Sequence, residues 1–188
     1  MRLSARHLAS LVLLLLWVLT PPPVAAEFNI EDVRTRDESD MLVMDAEIRY
    51  GFSEDALDAL DNGVPLTVEV HVQLRGVDDW IWDESLVDQR LRYVIRYKPL
   101  SERYMVSRLP SDGGISYVTR DAAIAALGKI DGLQLVSKER MNEAGGPFEI
   151  QVKASLDIDE LPLPLKPEAY LFPSWKLSSG WTKWPLDH

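Results

Sequence analysis

The sequence predicts a mainly β fold, either an antiparallel β-sandwich or a strongly curved sheet, with two short α-helices. Several segments alternate apolar and polar residues, turn sequences rich in glycine, proline and aspartate separate them, and two segments show helical spacing. Alternation with period two is typical of strands that bury one face. Consecutive strands of this type pair antiparallel around a core whose ends the helices close.

The first part of the domain predicts two strands, a helix and a third strand. Residues 28–36 and Met41–Tyr50 have strand patterns, and a polar turn joins them. Ser53 can cap a helix at Glu54–Asp61, which an Asn-Gly pair ends. Residues 66–75 form the clearest strand, because five aliphatic side chains fall on one face.

The same patterns predict the later elements. Strands are expected at 86–98, 103–108, 115–118, 133–136 and 148–158. A second helix is expected at 120–130, where apolar residues recur with helical spacing. Residues 137–147 are expected to form a loop, because their pattern is neither helical nor alternating.

Residues 161–188, rich in proline and tryptophan, are predicted to be a C-terminal strap laid over an open sheet edge. Pro162 and Pro164 each remove a backbone donor, so residues 161–165 cannot form a central strand. An extended, polyproline-like conformation suits them better. A partner-docking surface is the alternative role for this strap.

Residues 1–26 are predicted to be a cleavable signal peptide with cleavage after Ala26. Arg2 and Arg6 precede a nearly unbroken apolar run, and prolines and small residues follow it. The run is shorter than the roughly 20 residues that span a bilayer, which argues against an uncleaved anchor. We therefore expect an exported protein with one β-rich domain at 27–188 and no stable membrane anchor once the signal is removed.

Charge and cysteine content exclude several functional classes. Residues 27–188 hold 18 basic and 30 acidic residues, a formal net charge of −12. Such a chain repels nucleic acid, whose binding requires lysine and arginine to neutralise phosphates. The absence of cysteine excludes disulfides, thiolate metal sites and cysteine nucleophiles. No metal site and no cofactor are predicted.

A series of short motifs resembles a known protein family. The motifs are Phe28-Asn29-Ile30, Ala59-Leu60-Asp61-Asn62-Gly63-Val64-Pro65-Leu66, Trp82-Asp83-Glu84, Leu91-Arg92-Tyr93, Arg96-Tyr97, Tyr104-Met105-Val106-Ser107, the helix 122–130, Leu161-Pro162-Leu163-Pro164-Leu165 and the tryptophans Trp175, Trp181 and Trp184. They resemble a proteobacterial family of exported proteins classed as a domain of unknown function, whose members are sometimes labelled proline-rich signal peptide proteins. The resemblance implies a Gram-negative envelope location, a link to envelope sensing through neighbouring sensor genes, and no catalytic residues.

A basic stripe is the first candidate binding feature. Arg90, Arg92, Arg96 and Lys98 are predicted to share one face of the strand 86–98. Like charges two residues apart repel, so acidic groups should face them. The candidates for these groups are Glu69, Glu149 and Asp157. The stripe is either an internally paired sheet face or a site for an anionic ligand or acidic partner segment, since arginine binds carboxylate and phosphate in a bidentate manner.

Four tryptophans are the second candidate binding feature. Trp80 and Trp82 alternate in a loop, and Trp181 and Trp184 lie in the strap. Exposed indole rings on loops can stack on sugar rings, so Trp80 and Trp82 are candidates for a carbohydrate site, whereas Trp181 and Trp184 are candidates for a partner-docking surface. The alternative is that the rings pack over the ends of the core, since each buries a large apolar area.

Histidine and carboxylate patterns carry two further hypotheses. His71 lies among polar residues, where a lone surface histidine is the favoured interpretation and a pH sensor the alternative. Asp78, Asp79, Asp83 and Glu84 lie near tryptophans, and paired carboxylates catalyse glycoside hydrolysis. Neighbouring carboxylates are unavoidable in a chain with 30 acidic residues, however.

Together these observations predict a non-enzymatic interaction module of the periplasm. Its expected partner is an envelope protein, such as a sensor or an assembly factor. A binding module for cell-wall glycan or for an anionic small ligand is the alternative, and a glycan hydrolase is the third hypothesis.

Overall fold

The strands of the chain form two antiparallel sheets in a computed structural model that describes residues 27–77, 84–111 and 113–186. The strands of this part are β1 (Phe28–Glu38), β2 (Met41–Tyr50), β3 (Leu66–Gly76), β4 (Val87–Lys98), β5 (Arg103–Arg108), β6 (Gly114–Tyr117), β7 (Lys129–Ser137), β8 (Phe148–Leu156) and β9 (Thr182–Pro185). Its α-helices are α1 (Glu54–Asp61), α2 (Arg120–Leu127), α3 (Lys138–Ala144) and α4 (Lys166–Leu171), with 3-10 turns at Ile158–Glu160 and Pro173–Trp175. The prediction of a mainly β fold is confirmed.

The smaller sheet has the strand order β1-β2-β7, and the larger has the order β6-β5-β4-β3-β8-β9. Every neighbouring pair is antiparallel. The two sheets share one hydrophobic core. We call the core-facing side of the six-stranded sheet its inner face and the opposite side its outer face.

Strict alternation along β3 and β8, two interior strands of the larger sheet, buries one face of each against the core. The five inner side chains of β3, at alternate positions from Leu66 to Leu74, are completely buried. The inner side chains of β8 are buried beside them, and Met44 and Ile48 of β2 are buried in the same core. Removal of this apolar surface from water is the dominant favourable contribution to folding.

Helix α1 forms as the sequence predicts. The Ser53 hydroxyl oxygen accepts a hydrogen bond from the Ala56 amide at 3.2 Å, which satisfies one of the free donors of the first turn. Ala56 and Leu60 are buried against the core. The helix therefore closes one end of the sandwich.

Helix α2 ends at Leu127, three residues earlier than predicted. The carbonyl of the next residue, Gly128, accepts a hydrogen bond from the Ile48 amide at 2.8 Å, which draws the chain onto β2. Glycine permits this approach, because a Cβ at position 128 would lie 1.9 Å from the Ile48 carbonyl oxygen. The predicted strand at 133–136 consequently starts earlier, at Lys129.

The expectation of a loop at 137–147 is wrong, because α3 occupies most of it. The Ser137 hydroxyl accepts a hydrogen bond from the Arg140 amide at 3.3 Å and caps this helix. None of its side chains is buried. With α3 and α4, the described residues contain four short α-helices where the sequence predicts two.

The start of the tail is a turn rather than an extended polyproline-like segment. The Leu165 amide donates to the Pro162 carbonyl at 2.9 Å, and α4 follows. Proline is tolerated in the first turn of a helix, so Pro167 does not prevent this one. Ala169 of α4 is completely buried, and this packing turns the chain back toward the core.

The rest of the tail packs on the core and then on the sheet edge. Trp175 and Leu177 are buried, and the Leu177 carbonyl accepts a hydrogen bond from the Leu156 amide at 2.9 Å. The chain then runs along β8 as β9, with Trp184 opposite Ile150. The edge that β8 would otherwise present is covered by this pairing.

A polar network ties α1 and α2 to β5. The Tyr104 hydroxyl donates to the Asp61 carboxylate at 2.8 Å, and Arg120 forms an ion pair with the same carboxylate at 2.5 Å. Burial and the hydrogen bond to Asp61 raise the pKa of Tyr104 to about 12. The network therefore holds β5 against both helices.

Candidate binding face

The outer face of the six-stranded sheet gathers most of the predicted site residues. Polar residues at alternate positions of β3, β4 and β8 project from it, because their aliphatic neighbours face the core. The register places Arg92 opposite Glu69 and Arg90 opposite His71. Side chains opposite each other in neighbouring strands lie close enough to interact.

Arg90 and Arg92 are paired with carboxylates. The Arg90 guanidinium lies 3.5 Å from Glu69, and that of Arg92 lies 3.3 Å from Asp157 and 2.5 Å from Glu160. The hydrogen bond to Glu160 raises the pKa of Arg92. The interpretation of a paired sheet face is therefore confirmed at these two arginines, with Glu69 and Asp157 among the predicted partners.

The predicted role of Glu149 as a partner of the arginines is wrong. Its carboxylate accepts a hydrogen bond from Lys183 at 2.7 Å instead. Lys183 belongs to β9, whose register beside β8 brings it next to Glu149. The sequence could not indicate this contact, because the two residues are 34 positions apart.

A shallow depression of about 410 Å³ lies beside Arg90 and Arg92. Its charged lining consists of these two arginines and four acidic residues, which are Glu69, Asp157, Asp159 and Glu160. The carboxylates outnumber the guanidinium groups, and those of Glu69, Asp157 and Glu160 already bind them. An anionic ligand is therefore disfavoured at this position.

Three further cations at the far end of the outer face have a different environment. Arg96 and Lys98 are exposed at the end of β4, and Arg103 of β5 lies directly opposite Lys98. Among the described residues, none of the three has a carboxylate within ion-pair distance, including Glu102 in the connecting turn. We call Arg96, Lys98 and Arg103 the basic end. Alternation along β4 predicts Arg96 and Lys98 on this face, but no sequence pattern indicates Arg103, whose position depends on the β4–β5 register.

His71 is not a lone surface histidine. Its side chain is 14% exposed, its Nε2 lies 2.8 Å from Asp88 Oδ1, and its ring centroid lies 4.9 Å from that of Trp181. Gln73 donates a second hydrogen bond to the Asp88 carboxylate at 2.7 Å. Burial tends to raise the pKa of Asp88, but the hydrogen bonds from Gln73 and His71 and the nearby charges hold it below its ordinary value.

The tryptophans of the strap have three different environments. Trp175 is buried, Trp184 is half-buried on the inner side of β9, and Trp181 is 43% exposed on the outer face. The indole nitrogens of Trp175 and Trp184 are buried and have no hydrogen-bond partner among the described residues. Trp181 therefore presents the larger accessible ring surface of the two strap tryptophans predicted as binding residues.

Some predicted site residues lie outside the part of the chain that the structure describes. These are Trp80 and Trp82, together with the acidic residues Asp78, Asp79 and Asp83. The carbohydrate site at the loop and the paired-carboxylate site remain predictions. Within the described residues, no group of three histidine, cysteine or acidic side chains is arranged to hold a metal ion.

The family model described as Domain of unknown function (DUF4390) matches residues 25–185. The chain belongs to this family. The match confirms the resemblance to a family classed as a domain of unknown function, and it assigns no activity. A search of curated proteins and a search of solved structures each returned no match. None of the helices in the described residues combines the length and the apolar character needed to cross a membrane.

Proposed function

We propose that the chain is a non-catalytic interaction module of the periplasm, which binds an acidic surface of an envelope protein through its basic end. The observation that carries the proposal is that Arg96, Lys98 and Arg103 have no carboxylate partner in the part of the chain that the structure describes. The chain has ten more acidic than basic residues, and Arg90 and Arg92 of the same strand are both paired. A cluster left unpaired in such a chain is available to an external acidic group.

The physical cost of the cluster supports a binding role. Arg103 and Lys98 lie directly opposite each other, and like charges in that position destabilise a sheet. A bound carboxylate would relieve this repulsion and gain charge-assisted hydrogen bonds. Charged groups also steer a partner of opposite sign to the surface, which increases the association rate.

The proposed periplasmic location rests on the amino-terminal sequence, which predicts export, and on the family resemblance, which implies a Gram-negative envelope. Residues 1–26 have the basic, apolar and small-residue regions of an export signal. An envelope sensor or assembly factor is the class of partner that the family resemblance favours. Signal removal and location are tested by sequencing the amino terminus of the protein from a periplasmic extract, where Glu27 is the expected first residue.

Photo-cross-linking in the intact cell envelope tests the proposal. A photo-reactive phenylalanine replaces Met105, which lies opposite Arg96 on the outer face. The expected result is one protein adduct that disappears when Arg96, Lys98 and Arg103 are all changed to glutamate. The control triple changes Arg140, Lys166 and Lys176 to glutamate, so it alters net charge equally at other places. Identical adducts in both triples contradict the proposal.

Glycan binding at Trp181 is a second candidate function. The exposed indole lies against His71, with the hydrogen-bonding groups of Gln73 and Asp88 close by. An aromatic ring beside polar side chains can stack on a sugar and bond its hydroxyls. Calorimetry with soluble cell-wall fragments tests this function. It predicts binding that Trp181→Ala abolishes in a folded protein and that Trp184→Ala leaves intact.

A further inference from the structure

Strand β6 is an edge strand with little protection. It ends the six-stranded sheet, and within the described residues no strand pairs with its free side. Residues 114–118 carry no charge, and Ile115 and Val118 are 66% and 68% exposed. Native proteins normally protect such edges with charges, proline, bulges or covering segments.

Two other edge strands show this protection. β1 has a register shift between Ile30 and Asp32 and carries charged side chains along its length. β9 contains Lys183 and ends in Pro185. The bare edge at β6 is therefore a local feature and not a general property of these sheets.

The hydrogen-bond pattern identifies the free backbone groups of β6. The Leu109 amide donates to the Arg92 carbonyl at 2.8 Å, so these two residues form a hydrogen-bonded pair. Hydrogen-bonded and non-hydrogen-bonded pairs alternate along an antiparallel ladder. Tyr104 and Val106 therefore bond to β6, and the backbone groups of Ser116, opposite Met105, point away from β5.

The charge around β6 specifies the kind of strand that fits. The register places Ser116 opposite Met105 and Met105 opposite Arg96. Ser116 and Met105 therefore share the outer face with the basic end. Ile115 projects on the other side, beside Val106. This edge therefore suits an added strand with carboxylates on its outer face and apolar side chains on its inner face.

A second copy of the chain fits this edge poorly. Two β6 strands related by a two-fold axis would place both basic ends on the same face of a joint sheet. Each copy also has a large net negative charge. An acidic segment of another protein brings the opposite charge to the basic end.

We infer that β6 accepts an extended, acidic segment of the partner protein as an additional strand of the six-stranded sheet. The inference rests on the proposed function and specifies how the partner binds. Main-chain hydrogen bonds to Ser116 would contribute affinity, and the alternating side chains of the segment would contribute specificity.

The test uses the protein as purified from the cell envelope and three eight-residue peptides, with binding followed by fluorescence anisotropy. The first peptide alternates glutamate and valine. The second alternates lysine and valine. The third has the first sequence with N-methyl groups on alternate residues, which remove backbone donors on one edge.

We expect the glutamate peptide to bind and the lysine peptide not to bind. We expect the N-methylated peptide to bind about tenfold more weakly, because it loses backbone hydrogen bonds.

A protein variant gives the reciprocal measurement. Ser116→Pro removes the outward amide donor of β6, and proline is tolerated at the open side of an edge strand. This variant should bind the glutamate peptide about tenfold more weakly than the Ser116→Ala control. The N-methylated peptide tests the same contact without a protein variant, so a folding defect in Ser116→Pro leaves the test intact.

The outcomes separate the two proposals. Equal binding of the methylated and unmethylated glutamate peptides overturns strand addition and leaves charge-based docking at the basic end. Equal binding of the glutamate and lysine peptides overturns the proposed function as well. Peptide-independent dimerisation that Ser116→Pro abolishes assigns the edge to a second copy and also overturns the inference.

Discussion

Single side chains on the outer face are organised by burial and hydrogen bonding. Asp88 is the clearest case, because its carboxylate accepts hydrogen bonds from Gln73 and His71. An ionised carboxylate only accepts, so His71 Nε2 carries the proton that it donates. These bonds favour the charged form of Asp88 over the burial that opposes it.

The carboxyl of Asp88 should titrate below its ordinary value of 3.8. Because its folded-state pKa is depressed, its contribution to stability is complete above the unfolded-state value and is lost as the pH falls through the folded-state value. Titration followed by NMR of the carboxyl carbon measures this pKa. The variant Gln73→Leu should move it upward. A midpoint at or above 3.8 in the unmodified protein would contradict the assigned hydrogen bonds.

The two strap tryptophans Trp175 and Trp181 should differ in their effect on stability. Trp175→Ala removes a buried ring and should lower the free energy of unfolding by about 3–5 kcal/mol. Trp181→Ala removes an exposed ring that contacts His71 and should cost about 1 kcal/mol or less. Urea denaturation of both variants measures the difference. Equal losses would show that the tail does not pack as described.

At the scale of elements, the junction between α2 and β7 depends on one glycine. A Cβ at position 128 would overlap the Ile48 carbonyl oxygen, which belongs to the backbone of β2 and cannot move independently. Gly128→Ala should therefore lower the free energy of unfolding by about 2 kcal/mol or more. Gly113→Ala is the matched control, because its Cβ would meet only the Ser111 side chain at 3.5 Å. Similar thermal denaturation of the two variants would contradict the close approach.

Helices and strands with a strong local sequence pattern are the ones that the sequence predicts well. β3 and β8 alternate strictly, and α1 has both a cap and an apolar stripe, so all three were predicted with small errors at their ends. α3 has no buried residue and hence no apolar stripe to detect. The end of α2 depends on contact with β2, which no local pattern reports.

The candidate site is predictable only in part, because alternation gives the face of a side chain but not its partner. The faces of Arg90, Arg92 and Arg96 followed from alternation along β4. Their partners did not, because Asp157 lies 65 residues beyond Arg92 and approaches it through the chain that leaves β8. Whether an arginine is paired depends on which distant residues the fold brings next to it.

At the scale of the whole molecule, the positions of the charged residues indicate more about binding than the net charge does. A net charge of −10 for the full chain indicates solubility and weak affinity for nucleic acid. Among the described residues, the larger sheet nevertheless carries a basic end without carboxylate partners next to an edge strand that no other strand covers. β6 and β9, the strand of the strap, end the six-stranded sheet at opposite edges.

NMR titration of the isotopically labelled protein with octaglutamate tests whether the basic end binds acidic segments. We expect chemical-shift changes concentrated at Arg96, Lys98, Arg103 and β6, and these changes should weaken as salt is added, since salt screens exposed charges. The triple glutamate variant of the basic end should show none of them. Changes centred on His71 and Trp181, or spread evenly over the described residues, would contradict the claim.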